Sequence, residues 1–179
     1  MIRIIKATGP VGVYLKIEEG KKMSVAQKLT EYLRLTRTGF EAIPHTKTFT
    51  AMETAQAEHV PGRMVAKVVM VKADGKVIMA VLPATHHLDW KRLRELLGTP
   101  DVRLMSEQEF EQLFTDCEVG AMPPFGNLYG LPVYADGSLA EDEVIAFNAG
   151  THEDSMKMTF RDYVRLVRPI VGWFADRVN

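Results

Sequence analysis

Apolar and polar residues alternate along the chain in patterns that predict helices interleaved with strands. Ser24 and Gln27 have the spacing of a capping box, and the apolar residues behind them recur every three or four positions. We therefore predict a helix that Gly39 closes. Residues 40–43 then predict a short strand, which Pro44 stops.

The strongest strand pattern lies mid-chain, where residues 64–71 and residues 77–82 are almost entirely apolar. Asp74-Gly75 stands between them, and glycine tolerates the positive φ that a tight hairpin turn needs. Short strands are also predicted at residues 131–134, 144–148 and 156–158. Further helices are predicted to begin at the capping residues Thr50, Asp89, Ser106 and Thr159.

This order of elements predicts an α/β fold. Because the central hairpin is antiparallel and helices alternate with strands, we expect a mixed sheet flanked by helices. Residues 1–22 are predicted to form an appendage with short strands at residues 2–5 and 11–17. Residues 23–179 are predicted to form one domain, which suits a chain of 179 residues.

The composition is that of an ordinary globular protein, with 46% hydrophobic and 25% charged residues. It excludes disorder, collagen and coiled coil as descriptions of the whole chain. No apolar run approaches the ~20 residues of a membrane span, and the N-terminus lacks the apolar stretch of a signal peptide. Cys117 is the single cysteine, which cannot form an internal disulfide and fits a reducing cytosol. We expect a cytoplasmic protein.

The formal net charge of -1 is a cancellation. Residues 1–50 carry nine Lys/Arg and four Asp/Glu, whereas residues 111–154 carry nine acids and no Lys or Arg. Residues 155–179 carry five bases and two acids. This distribution allows a basic face that meets phosphates beside an acidic region that cannot. Accidental clustering on a mixed surface is the alternative.

Lys67 is the only charged residue within residues 64–71. Burying an unpaired ammonium costs several kcal/mol or lowers its pKa. A lysine in this run is therefore a candidate to emerge at the mouth of a pocket and meet an anion. The alternative is a lysine at the end of a strand that extends to solvent.

The loop of residues 120–126, Gly-Ala-Met-Pro-Pro-Phe-Gly, is a second candidate. Its prolines fix φ, and its glycines permit close approach of a ligand. Such a loop can direct backbone N–H groups at a carbonyl oxygen, as an oxyanion hole does. Only Ala121, Met122, Phe125 and Gly126 can donate from within it, since proline has no N–H. A plain connecting loop is the alternative.

His152 follows the run of residues 147–150, which ends a predicted strand. It could hydrogen-bond a substrate or move a proton, and the alternative is an exposed histidine without a function.

Metal chemistry has little support, because His86 and His87 are adjacent and the chain has no HExxH. The acids that flank Cys117 raise a thiol pKa, which favours a structural role over a nucleophilic one. The chain also lacks the G-x-S-x-G, Walker A and G-x-G-x-x-G motifs.

Several short motifs, taken in order, resemble the YbaK/prolyl-tRNA synthetase-associated editing domain family from about residue 24 to the C-terminus. They are Val60-Pro61-Gly62, Ala66-Lys67-Val68-Val69, Ala80-Val81-Leu82-Pro83-Ala84, Leu88-Asp89, Leu97-Gly98, Gly120-x-x-Pro123-Pro124-x-Gly126 and Phe147-Asn148-Ala149-Gly150. The resemblance implies a single domain around a twisted, partly closed mixed sheet. It also implies a free-standing, trans-editing deacylase that hydrolyses the ester of a mischarged tRNA, often tRNA(Pro).

The resemblance also implies roles for individual residues. The strand lysine of the family falls on Lys67, which would engage the tRNA 3′ end. The family's Gly-x-x-x-Pro loop falls on residues 120–124 and would hold the aminoacyl carbonyl. The histidine of some members falls on His152, which would position the substrate. Ser155 stands where cysteine-specific members carry an aspartate, so specificity for cysteine is not implied.

The full set of candidate residues follows from these arguments. Catalytic candidates are Lys67, Gly120, Ala121, Met122, Pro124 and His152. Substrate-binding candidates are Thr46, Thr48, Thr50, Phe125, Gly126, Asn148, Gly150 and Ser155, although the three threonines could serve only as turn and cap groups. The basic residues of the first predicted helix, Lys28, Arg34 and Arg37, are candidates for phosphate contacts.

The implied chemistry needs no metal, cofactor or covalent nucleophile. A synthetase rejects a smaller amino acid poorly, because a missing methylene is worth only ~1–3 kcal/mol. A second, editing site supplies the remaining discrimination, and positioning with carbonyl polarisation can hydrolyse an activated ester. The expected partners are the 3′ end of an aminoacyl-tRNA and an aminoacyl-tRNA synthetase. The alternatives are a non-catalytic tRNA- or synthetase-binding module with the same fold and a metal- or cysteine-dependent esterase.

Overall fold

The computed structural model describes residues 2–6, 14–18 and 23–178. The helices are α1 (Val25–Leu35), α2 (Ala51–Ala57), α3 (Trp90–Leu97), α4 (Glu107–Leu113) and α5 (Phe160–Val167). The strands are β1 (Ile2–Lys6), β2 (Tyr14–Glu18), β3 (Glu41–Pro44), β4 (Ala66–Ala73), β5 (Lys76–Pro83), β6 (His86–Leu88), β7 (Val102–Leu104), β8 (Val133–Asp136), β9 (Val144–Asn148), β10 (Asp154–Thr159), β11 (Ile170–Gly172) and β12 (Ala175–Arg177).

The described residues form four sheets, of which two have more than two strands and the others are the antiparallel pairs β1-β2 and β6-β12. The larger has the order β11-β8-β5-β4-β7, with β8 parallel to both β5 and β11 and the other pairs antiparallel. The smaller is the antiparallel sheet β3-β10-β9. A single parallel bridge between Val65 and Ala146 joins the two. The predicted mixed α/β fold is confirmed, but the sheet is open rather than partly closed, because neither strand order returns to its starting strand.

Local sequence signals account for most element boundaries. The capping boxes at Ser24, Thr50 and Ser106 all form. Asp74 and Gly75 both have positive φ, as a two-residue hairpin turn requires. The structure differs at the end of α1, which stops before Gly39 because Arg37 already adopts the left-handed conformation, at φ 51°.

At the N-terminus, β1 and β2 pair with each other as an antiparallel hairpin. The first predicted strand forms there, and the second is confirmed from Tyr14 onward. The predicted part of that second strand before Tyr14 lies outside the described residues. The boundary between an appendage and a domain at residue 22 stays a prediction.

The core lies on both faces of the larger sheet. On one face, α1, α4 and α5 enclose an aromatic group in which the rings of Tyr32, Phe125, Phe147 and Tyr163 are at most 1% exposed. On the other face, α3 packs through Leu93. A small apolar cluster of Ala55, Val65, Ala84 and Ala146 fastens α2 beside the bridge between the sheets.

None of the helices in the described part of the chain has the length and apolar character that crossing a membrane requires.

Candidate active site

Two loops, residues 118–122 and residues 149–152, are joined by backbone hydrogen bonds, and we call them the loop pair. The N–H of Glu118 donates to the carbonyl of Gly150 at 2.9 Å, and the N–H of Gly150 donates to that of Ala121 at 2.9 Å. Gly150 has a φ of 103°, and a Cβ there would lie 2.4 Å from the Cβ of Val25. Only glycine therefore lets this loop pass beneath α1.

His152 is held firmly by the loop pair. Its Nε2 is 2.9 Å from the carbonyl oxygen of Val119, and its backbone N–H donates to the Glu118 carboxylate at 2.7 Å. A carbonyl oxygen can only accept, so Nε2 carries the proton and Nδ1 holds a lone pair. Nδ1 is buried and has no hydrogen-bond partner among the described residues. The His152 ring contacts the ring of Phe49, with the two centroids 5.3 Å apart. His152 is thus a fixed hydrogen-bond acceptor rather than an exposed bystander.

The loop pair also leaves four backbone donors without acceptors among the described residues, the N–H groups of Val119, Gly120, Met122 and Thr151. Ala121 donates to the carbonyl of Glu118, and Phe125 donates to that of Pro123, so neither N–H is available to a ligand. In the described residues, the N–H groups of Gly120 and Met122 have no acceptor. A Cβ built on Gly120 would lie 3.6 Å from the His152 ring, which brings this donor close to the histidine. Of the four donors expected from this loop, Met122 and Gly126 thus have no acceptor among the described residues, and Gly120 is a further donor that was not among those expected.

The second half of the predicted loop supports the core. Phe125 is fully buried and packs edge-on against Tyr32 and Tyr163. Pro124 and Gly126 are also buried, and a Cβ on Gly126 would lie 2.6 Å from Val133. The structure does not bring Phe125 or Gly126 to the loop pair as substrate-binding residues. They anchor the loop instead.

Lys67 lies near the start of β4, half-buried, where its Nζ donates to the carbonyl of Ala84 at 3.3 Å. Burial lowers the pKa of Lys67. Val65 bridges Ala146 in parallel, so Lys67 and Asn148, each two residues further on, face the same side of their strands. In the described residues no hydrogen bond or ion pair links Lys67 to Gly120 or His152.

Asn148 and Ser155 belong to a buried polar group that sequence reasoning only half found. Ser155 is 2% exposed, and its Oγ donates to Asn148 Oδ1 at 3.2 Å and lies 2.9 Å from His45 Nε2. Glu58 Oε1 lies 3.8 Å from the same nitrogen of His45. We call His45, Glu58, Asn148 and Ser155 the strand-end cluster. Sequence reasoning misses His45 and Glu58, since one follows a strand-stopping proline and the other ends a short helix.

The three threonines before α2 have structural contacts. Thr50 caps α2, and its hydroxyl accepts from the N–H of Glu53. Thr48 is buried, with its hydroxyl 2.9 Å from that of Thr54, and its N–H donates to the carbonyl of His152. Thr46 is exposed and presents its carbonyl to His45 Nδ1 at 2.7 Å. These contacts match the turn and cap alternative, and they fasten the segment over the loop pair.

The basic residues of α1 and its C-terminal end have different surroundings. Lys28 is paired with Asp116, so its charge is already neutralised. Arg34 and Arg37 are exposed. Arg34 borders a cavity of about 600 Å³, which lies between α1 and the strands β3 and β10 and is also lined by Ser155. Of the three candidates, Arg34 and Arg37 remain available to phosphates.

Two alternative chemistries, one based on Cys117 and one on a metal, find little support in the structure. Burial, with Asp116 and Glu118 nearby, raises the pKa of Cys117 to about 12. The thiol therefore stays protonated at neutral pH, which suits the structural role expected of it. In the described ranges, no three His, Cys, Asp or Glu side chains are grouped so that they could hold a metal ion.

Two curated proteins are similar in sequence to part of this chain. They come from Escherichia coli strain K12 and Escherichia coli O157:H7, and both are named multifunctional Ser/Thr-tRNA deacylase ProXp-y. Each is 37% identical over 108 residues, which is 58% of this chain and 64% of the relative. The match thus spans less than two thirds of the relatives' length.

Solved structures share the fold. A candidate trans-editing enzyme for prolyl tRNA synthetase superposes with a TM-score of 0.76 at 21% identity, over 87% of this chain and 99% of that one. A scaffold protein used for computational epitope grafting gives the same TM-score at 20% identity, over 88% and 100%. A sequence model of the aminoacyl-tRNA editing domain matches residues 45–166, more than half of the 179 residues. The chain therefore belongs to the aminoacyl-tRNA editing domain family.

Proposed function

We propose that this chain is an aminoacyl-tRNA deacylase that acts in trans on the ester of a small amino acid mischarged to tRNA, with tRNA(Pro) as the expected carrier. One observation carries the proposal: in the described residues, the loop pair holds the backbone donors of Gly120 and Met122 without acceptors, together with His152, whose Nδ1 has no hydrogen-bond partner. The family match at residues 45–166 contains all of these residues and Lys67.

The proposed reaction is hydrolysis of an ester. Water adds to the aminoacyl carbonyl carbon, the bond from that carbon to the ribose oxygen breaks, and the proton of water passes to the ribose oxygen. The N–H groups of Gly120 and Met122 would stabilise the oxyanion that forms on the carbonyl oxygen. His152 Nδ1 would accept a hydrogen bond from the ribose hydroxyl or the attacking water. Lys67 would hold the negatively charged 3′ end.

Serine and threonine esters are the substrate class that we propose first. The relatives named Ser/Thr-tRNA deacylase support this choice. The Ser155 position, without the aspartate of cysteine-specific members, points away from cysteine. We further propose the cytoplasm as the place of reaction and a synthetase as a second partner, because both accompany trans-editing.

The experiment is a deacylation assay with tRNA(Pro) charged separately with serine, threonine, alanine and cysteine. Wild-type protein is expected to release serine or threonine over many turnovers. Lys67→Ala is expected to lose about 100-fold in kcat/KM, because it removes the contact to the 3′ end. Glu53→Gln is the matched control, since Glu53 is exposed and glutamine can complete the same capping box.

Two results would count against the proposal. Stoichiometric binding of acylated tRNA without release of the amino acid would indicate a non-catalytic module. Turnover that EDTA or Cys117→Ala abolishes would indicate a metal- or cysteine-dependent esterase.

A further inference from the structure

The strand-end cluster contains a buried acid that the proposed reaction does not use. The Glu58 side chain is 0% exposed and that of His45 is 2% exposed. Neither carboxylate oxygen of Glu58 has a hydrogen-bond partner in good geometry among the described residues. A buried carboxylate that is only loosely paired is costly, and such groups concentrate at functional sites.

The available donors and acceptors fix the direction of each hydrogen bond in this cluster. The carbonyl of Thr46 can only accept, so His45 Nδ1 must carry a proton. Ser155 donates its hydroxyl proton to Asn148 Oδ1, so its oxygen accepts from His45 Nε2. With these directions both ring nitrogens of His45 act as donors, and the Glu58 carboxylate, 3.8 Å from Nε2, is placed as the counter-charge that a doubly protonated ring needs.

The Asn148 amide is placed with its oxygen toward Ser155. Its Oδ1 is occupied by Ser155, so its Nδ2 donors are directed away from the cluster and have no partner in the described residues. Asn148 faces the same side as Lys67, two residues past the bridge between Val65 and Ala146. An amide donor on the same side of the strands as a lysine suits an acceptor oxygen of the aminoacyl group.

We propose that Glu58 and His45 are positioning residues for the hydrolytic site, acting through Ser155 to hold the Asn148 amide with its N–H₂ toward the substrate. The proposal rests on the proposed deacylase function. Glu58 stabilises the imidazolium, the imidazolium makes Ser155 an acceptor from His45, and Ser155 then donates to Asn148 Oδ1. Loss of the Glu58 charge lets His45 become neutral, and the amide of Asn148 is then free to turn over.

Other charged groups around the cluster have partners of their own. Lys157 on β10 is close enough to influence Glu58, but its Nζ is paired with Glu41 at 2.9 Å. Asp154 on the same strand accepts from the hydroxyl of Thr151 at 2.8 Å. Burial raises the pKa of Glu58, although Ser155, His45 and Lys157 act in the opposite direction. Glu58 is thus the carboxylate that faces His45 as its counter-ion.

The test compares Glu58→Gln with the matched Glu53→Gln, which lies on α2 but is exposed. We expect Glu58→Gln to lower kcat for deacylation by about 10-fold with little change in KM, as misplacement of a substrate contact does. Glu53→Gln should match wild type. Ser155→Ala should cost about the same as Glu58→Gln, and the double variant no more than either, because the residues act in one chain.

A second readout does not depend on activity. Nitrogen-15 NMR of the histidine ring, assigned with a His45→Gln variant, should show two protonated ring nitrogens at pH 7 in wild type and one in Glu58→Gln, with partial recovery in Glu58→Asp. Equal ring protonation in all variants, or additive losses in the double variant, would overturn the proposal. If wild type has no deacylase activity, the proposed function fails, while the NMR result still decides whether Glu58 controls His45.

Discussion

His45 directly follows β3, and His152 lies just before β10. Their neighbours give these two histidines opposite roles. His152 in the loop pair donates one hydrogen bond, from Nε2 to Val119, and keeps Nδ1 as a free acceptor among the described residues. His45 in the strand-end cluster donates from both nitrogens, to Thr46 and Ser155, with Glu58 as counter-charge. The residue type is the same, but the acceptors around each ring decide its charge and its use.

The difference between the two histidines suggests separate roles for the loop pair and the strand-end cluster. A neutral histidine with a lone pair can accept a proton or a hydrogen bond from a reacting group, which a cationic one cannot. A cationic histidine beside a buried acid can only donate, so each hydrogen bond in the series that begins at its ring keeps the same donor and the same acceptor. The loop pair is therefore suited to chemistry and the strand-end cluster to orientation.

The largest expected effect is at His152, where it equals that of Lys67→Ala. Substitution to alanine should lower kcat/KM for deacylation by about 100-fold, within the range for loss of a positioned acid–base group. Asparagine can place an acceptor near the Nδ1 position, whereas glutamine reaches only the Nε2 position. Asparagine should therefore retain more activity than glutamine in the same assay. The reverse order would mean that the Nε2 contact matters and that Nδ1 is not the working atom.

A smaller, pH-dependent effect is expected at Lys67, near the start of β4. Because burial lowers its pKa, the ammonium is lost at a lower pH than for an ordinary lysine. Affinity for a non-hydrolysable amide analogue of seryl-tRNA should thus fall about 10-fold as the pH rises toward 10, by direct binding titration. Lys67→Arg, which stays charged, should give a flat profile. A flat wild-type profile would remove Lys67 from the binding of the 3′ end.

An effect of a few-fold is expected from the basic residues outside the family match. Arg34→Ala and Arg37→Ala should each weaken tRNA binding and reduce the slope of log Kd against log salt by about 1. Lys28→Ala should change the slope less, because Asp116 already neutralises Lys28. Fluorescence anisotropy at several salt concentrations measures this. A larger effect for Lys28 would show that the ion pair opens when tRNA binds.

The smallest expected effect is at Cys117, next to the loop pair. Since its pKa is raised to about 12, the thiol is protonated at neutral pH and is a poor nucleophile. Cys117→Ser should leave kcat/KM within about two-fold of wild type, and iodoacetamide should modify wild type slowly at pH 7. Rapid inactivation by iodoacetamide would restore the cysteine-dependent alternative.

Much of the fold was predictable because its signals are local. Helix starts at Ser24, Thr50 and Ser106 depend on partners three residues away, and the hairpin turn depends on Asp74 and Gly75. The three-residue strands β6, β7, β11 and β12 carry too few residues for periodicity to show.

The site was only partly predictable because its contacts are distant in sequence. His45 and Ser155 are 110 positions apart, and Lys28 and Asp116 are 88 apart. Nothing local marks the Glu58 side chain or the Phe125 side chain as buried. The free donors of Gly120 and Met122 also depend on which other N–H groups the loop pair uses.

The most direct test of the proposed deacylase activity is a time course of serine release from Ser-tRNA(Pro) with substrate in large excess over protein. We expect many turnovers for wild type and about 100-fold slower release for His152→Ala, with EDTA and Cys117→Ser without effect. Release no faster than spontaneous hydrolysis, with serine, threonine, alanine and cysteine alike, would contradict it.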